Sequence, residues 1–73
     1  MEQVYKDHRI EISPSLATGG DGWFVRIFIY YQDNGTTMLV TFSLDQKFTS
    51  YDGAVNDGFA AARDWVNREV ANK

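Results

Sequence analysis

Few residues of this chain have the types and spacing that chemistry needs. His8 is the single histidine and cysteine is absent. One imidazole with no thiol cannot run Cys–His nucleophilic chemistry, nor can it fill a typical zinc site. On strand parity His8 shares a side with Ile10 and Ile12, which reads as a structural or rim histidine, proton transfer being the alternative role. Asp57 and Asp64 stand seven apart, so on a helix they share a face, as a divalent-cation pair would. Neither has a third oxygen-rich neighbour and no EF-hand loop is present, which leaves a solvated acidic face. Gly19-Gly20-Asp21-Gly22 has the glycines of a phosphate cradle. Such a cradle opens a helix, whereas here a strand signal follows at Trp23, and Asp21 would repel the anion. No serine lies in a Gly-x-Ser-x-Gly elbow. No pair of titratable groups is arranged to divide acid and base roles. The expectation is a non-enzymatic protein with no catalytic residue, no metal and no cofactor.

The elements that would position side chains are better defined. Seventy-three residues make one domain, spanning 1–73. A chain of this size buries only roughly 60% of its unfolded surface. Without cysteines, oligomerisation is the remaining common support for so thin a core. Hydrophobic residues at 44% and aromatics at 15% exclude intrinsic disorder. No apolar run approaches the ~20 residues that span a bilayer. The charged start, Met1 to Asp7, offers no secretory signal, so a cytoplasmic location is expected. That location makes Asn34-Gly35-Thr36 a turn rather than a glycosylation sequon. The net charge of −3 gives no general attraction to phosphate backbones or anionic lipid, and no membrane association is expected.

Trp23–Tyr31 and Thr36–Leu44 are two β-branched and aromatic runs flanking Asn34-Gly35. Asn-Gly accepts positive φ at both central positions of a type I′ turn. With that two-residue loop, Tyr31 faces Met38, Ile29 faces Val40, Ile27 faces Phe42 and Val25 faces Leu44, a uniformly apolar set. The other face pairs Tyr30 with Leu39, Phe28 with Thr41, Arg26 with Ser43 and Phe24 with Asp45, a mixed set. Segregation of this kind fits a sheet with one face on a core. An earlier strand is expected at His8–Ser13, ending at Pro14, which lacks an N–H for a ladder. Phe48-Thr49 is a candidate short extended piece.

From Tyr51 to Ala71 the pattern is helical. Ser50 or Thr49 can cap it, and Asp52 complements the dipole of its first turn. Ala54, Val55, Gly58, Phe59, Ala62, Trp65, Val66 and Val70 form one apolar stripe. Gly58, costly in a helix, is expected where helix and sheet approach closely. The fold class is therefore α+β: a three-stranded, or four-stranded, antiparallel sheet with one C-terminal helix on one face.

Tyr5-Lys6-x-His8, Ile10-x-Ile12-x-Pro14, Asp21-Gly22-Trp23-x-Val25, Phe48-Thr49, Gly58-Phe59, Ala62-Arg63 and Trp65-Val66 together resemble a group of small bacterial proteins of uncharacterised function. More distantly the chain is similar to the haemolysin transcriptional activator HlyU family, through its Tyr-Lys start and terminal helix. The resemblance spans nearly the whole chain and implies the fold. Asp7 stands where such proteins often carry glycine.

One surface exceeds what scattered exposed apolar residues supply. A single helix covers one sheet face, and the opposite face carries Phe24, Arg26, Phe28, Tyr30 and Leu39. Aromatics and arginine are the types enriched at binding hot spots. The first reading is an interaction module that self-associates, as a homodimer or with another protein, through this face or a sheet edge. The second is single-stranded nucleic-acid binding, or a transcription-related accessory role, with Phe24, Phe28 and Tyr30 stacking bases and Arg26 on the backbone; the acidic charge disfavours it.

Overall fold

Two of the three β-hairpins among the described residues share one type of turn, built from different residues. A computed structural model describes residues 1–72. It contains β1 (Glu2–Tyr5), β2 (His8–Leu16), β3 (Trp23–Asp33), β4 (Thr36–Ser43) and α1 (Tyr51–Ala71). The strands form a four-stranded antiparallel meander in the order β1-β2-β3-β4. With α1 across one face, the molecule is an α+β fold.

Between β3 and β4, Asn34 and Gly35 have φ of 53° and 80°, and Asp33 pairs with Thr36. The register expected from the turn holds along the ladder: Ile29 faces Val40 and Ile27 faces Phe42, down to Arg26 opposite Ser43. Beyond it Leu44 N still donates to Val25 O, at 3.2 Å. Between β1 and β2, Lys6 and Asp7 have φ of 48° and 63°, and Tyr5 pairs with His8. That is again a two-residue turn with both centres left-handed, but without glycine.

The fourth strand is thus β1, at the beginning of the chain. Phe48 makes only an isolated bridge to Trp23, exchanging two backbone hydrogen bonds of 2.8 Å. β2 also runs past Pro14 to Leu16, longer than its sequence suggests. Ile12 N donates to Met1 O at 2.9 Å, so the even-numbered residues of β2 point their amides toward β1. Pro14 therefore turns its nitrogen to the β1 side, outside the Glu2–Tyr5 pairing, and its missing N–H leaves the ladder with β3 intact, where Pro14 still pairs with Val25.

Ser50 caps α1: its Oγ accepts from Gly53 N at 3.0 Å, and Asp52 lies in the first turn. The helix packs on β2 and β3. Its buried residues Ala54, Ala62 and Val66 join Ile10, Ile12, Val25, Ile27, Ile29 and Phe48 in one core, and Val55 and Gly58 of the helix are buried as well. A Cβ on Gly58 would lie 3.0 Å from Val25 Cγ2 and 3.3 Å from Ile12 Cγ2, so glycine lets the backbones close up there. Phe59 and Trp65, from the same stripe, are half-buried at the border of this core, and Val70 is exposed.

Because α1 lies over β2 and β3, it leaves β4 incompletely covered. Val40, Phe42 and Leu44 point inward yet are only half-buried. Polar contacts instead tie β1 to the helix. Tyr5 Oη and Lys6 Nζ donate to Asn67 Oδ1, at 2.9 and 2.7 Å, and Arg63 Nη1 donates to Gln3 Oε1 at 3.0 Å.

Candidate interaction face

Strand parity gathers the five residues singled out in the sequence onto one surface. Phe24, Arg26, Phe28 and Tyr30 alternate along β3 away from α1, and Leu39 stands beside Tyr30 on β4. Phe24 is 45% and Leu39 52% exposed, while Phe28 and Tyr30 are half-buried by their neighbours. Successive positions on one strand face are roughly 7 Å apart, so Phe28 and Tyr30 are adjacent, whereas Arg26 separates Phe28 from Phe24.

β1 and β2 contribute a second half of the face. Val4 lies opposite Arg9, which lies opposite Tyr30; Glu2 lies opposite Glu11, which lies opposite Phe28. The Arg9 guanidinium sits 4.2 Å from the centre of the Tyr30 ring, a cation–π contact. Its Nη1 also donates to Glu2 Oε2 at 3.3 Å. Val4 is 69% exposed. Arg26 Nε donates to Ser43 Oγ at 3.4 Å. Strand alternation sets Arg9 and Glu11 on the side of β2 away from Ile10 and Ile12. Their assembly with β3 required the register of β2, which no turn signature between Leu16 and Trp23 discloses.

Within the strands of this face Arg9 and Arg26 stand against Glu2 and Glu11, and Asp7 borders it, lining one depression with Val4, Arg9 and Tyr30. The other acidic residues are Asp52, Asp57, Asp64 and Glu69 of the helix and Asp21, Asp33 and Asp45 in or beside turns. Asp64 pairs with Arg68 at 3.0 Å along the helix surface.

The remaining chemical candidates resolve into local roles. His8 is buried and points inward, where its Nδ1 donates to Lys6 O at 2.7 Å across the β1–β2 turn. Its Nε2 has no hydrogen-bond partner among the described residues. The ring stacks on Tyr31 at 5.0 Å and meets the edge of Trp65 at 6.4 Å. Asp21 in the glycine-rich loop accepts from Lys47 Nζ at 2.9 Å. That hydrogen bond, with the lysine's charge, holds the exposed carboxyl below its ordinary pKa. A cation already occupying Asp21 makes the loop a pinned turn. Among the described residues no three His, Asp or Glu side chains converge as a metal site would require. No helix among the described residues is long and apolar enough to cross a membrane.

Comparison with protein-family models, with curated proteins and with solved structures found no match for this chain.

Proposed function

We propose that this protein is a non-enzymatic interaction module that associates through its sheet, with a second copy of itself as the first partner. The observation that carries this reading is the distribution of apolar surface. Phe24, Leu39 and Val4 are exposed on a face of mixed charge, although a 73-residue chain has little apolar surface to spare for its core. Exposed aromatics and arginines suit a protein partner, which can desolvate them together.

A second reading, single-stranded nucleic-acid binding or a transcription-related accessory role, draws support from Arg9. Its guanidinium on Tyr30 adds a second cation to the set Phe24, Arg26, Phe28 and Tyr30. Base stacking on aromatics flanked by arginine is a known use of such sheets. Glu2 and Glu11 on the same face, and the −3 charge of the chain, oppose it.

Salt separates the two. Copies of a −3 chain repel, so self-association through neutral surface strengthens as ionic strength rises, whereas binding to a phosphate backbone weakens. Sedimentation equilibrium over a concentration series, at low and at near-physiological salt, should give a mass that rises with both variables. Titration with short single strands should give no binding at the higher salt. A monomer persisting to millimolar concentration overturns the self-association reading. A micromolar, salt-weakened affinity for oligonucleotides, abolished by Arg26→Glu, installs the second reading in its place.

A further inference from the structure

The two edges of the sheet are treated very differently. β1 is four residues long, begins with Glu2 and is tied to α1 through Gln3, Tyr5 and the adjoining Lys6. Those are ordinary ways of making an edge unavailable to another strand. β4 has none of them. Its eight residues, Thr36 to Ser43, contain no charge and no proline, and it pairs in unbroken register with β3. Leu44 N bonds to Val25 O, so even-numbered residues of β4 direct their amides inward. The N–H and C=O groups of Thr37, Leu39, Thr41 and Ser43 therefore point out of the sheet.

We infer that β4 is the self-association site, pairing antiparallel with β4 of a second copy about a two-fold axis through Val40. This rests on the self-association reading above and specifies its surface. Outward-facing residues must pair with outward-facing residues, and centring on Val40 is the register that pairs all four of them. It sets Thr37 against Ser43 of the second copy, Leu39 against Thr41, Met38 against Phe42, and Val40 against its own equivalent. Each pairing is apolar or hydroxyl-bearing. With no charge on the strand, two identical −3 chains meet without juxtaposing like charges, which is what favours a second copy as the occupant.

The side chains add to the ladder on both faces. Stable interfaces bury roughly 1,200–2,000 Å² in total, more than backbone pairing of short strands provides. Leu39 is 52% exposed on one face and Met38 38% on the other, where Val40 and Phe42 are also incompletely covered. Space permits the arrangement. Strands are spaced about 4.8 Å apart, so helices over β2 and β3 of each copy stand roughly 19 Å apart across the axis. Helices are about 10–12 Å wide, so they clear one another and flank a cleft floored by Met38, Val40 and Phe42 of both copies.

Thr41→Pro removes an outward N–H and leaves the β3–β4 ladder intact. It should raise the dimer dissociation constant at least tenfold, with the far-ultraviolet circular dichroism unchanged. Thr41→Lys, which sets like charges on the edge, should act the same way should the proline variant fail to fold. Under mild oxidation Val40→Cys should cross-link into a disulfide dimer, because the two positions form a close, non-hydrogen-bonded pair. Thr37→Cys, whose partner is Ser43, should not. A dimer that survives both Thr41 variants but dissociates on Phe28→Asp places association on the aromatic face, overturning the edge and sparing the parent reading. A mass that grows without limit overturns the two-fold, since it requires head-to-tail contacts. A monomer at all concentrations removes both.

Discussion

Lys6 and Asp7 occupy backbone conformations that glycine and asparagine adopt at lower cost. The His8 imidazole helps hold them there, through its Nδ1 hydrogen bond to Lys6 O. Asp7→Gly should therefore raise stability by about 0.5 kcal/mol, relief of the left-handed strain outweighing the added freedom of the unfolded chain. A shift of the urea midpoint to higher concentration, with unchanged slope, is the expected record. A lower midpoint would mean that the aspartate contributes more than its φ costs. The same turn explains why β1 is hard to read from sequence. Asn34-Gly35 announces its hairpin through residue type, whereas Lys6-Asp7 reaches the same geometry with residues that carry no such signal. The five candidate face residues were legible because strand alternation fixes them once the Asn-Gly turn is placed. Arg9 joined them only through tertiary pairing.

At the scale of elements, α1 was the most legible, because cap, stripe and dipole complement agree over Tyr51–Ala71. What periodicity could not supply was the lateral position of the helix on the sheet. The stripe does not say that α1 lies over β2 and β3, leaving β4 half-covered and placing Phe59 and Trp65 at the border. Gly58 sets that position, since Val25 and Ile12, both β-branched and buried, approach it most closely. Gly58→Val should cost roughly 1–3 kcal/mol, because overpacking against stiff side chains exceeds any relief from removing a helical glycine. Chemical denaturation measures it. A neutral result would show that α1 shifts laterally with ease. The extension of β2 past Pro14 has a related cause: tertiary register turns the proline nitrogen away from β3, so its missing N–H does not interrupt that ladder.

The whole molecule is elongated, with extents of 44 × 20 × 18 Å and a radius of gyration of 13.1 Å, against about 11 Å for a typical chain of this length. One apolar core runs its length, between two aromatic ends. At the first, Trp23 meets the edge of Tyr51 at 5.2 Å, beside the start of α1. At the second, Trp65 packs with Tyr31 at 6.1 Å and with His8, fourteen residues further along the helix. The two tryptophans are therefore separate optical reporters, roughly 20 Å apart along α1. Trp23→Phe leaves an emission that senses only the β1–β2 turn and the end of the helix. Trp65→Phe leaves one that senses only the glycine-rich loop and the helix start. In each variant, circular dichroism tracks the whole fold. If the shared core makes the chain a single cooperative unit, fluorescence and circular dichroism should coincide on thermal melting in each variant separately. Non-coincidence in either would locate the end that opens first and divide so small a domain into two independently melting halves.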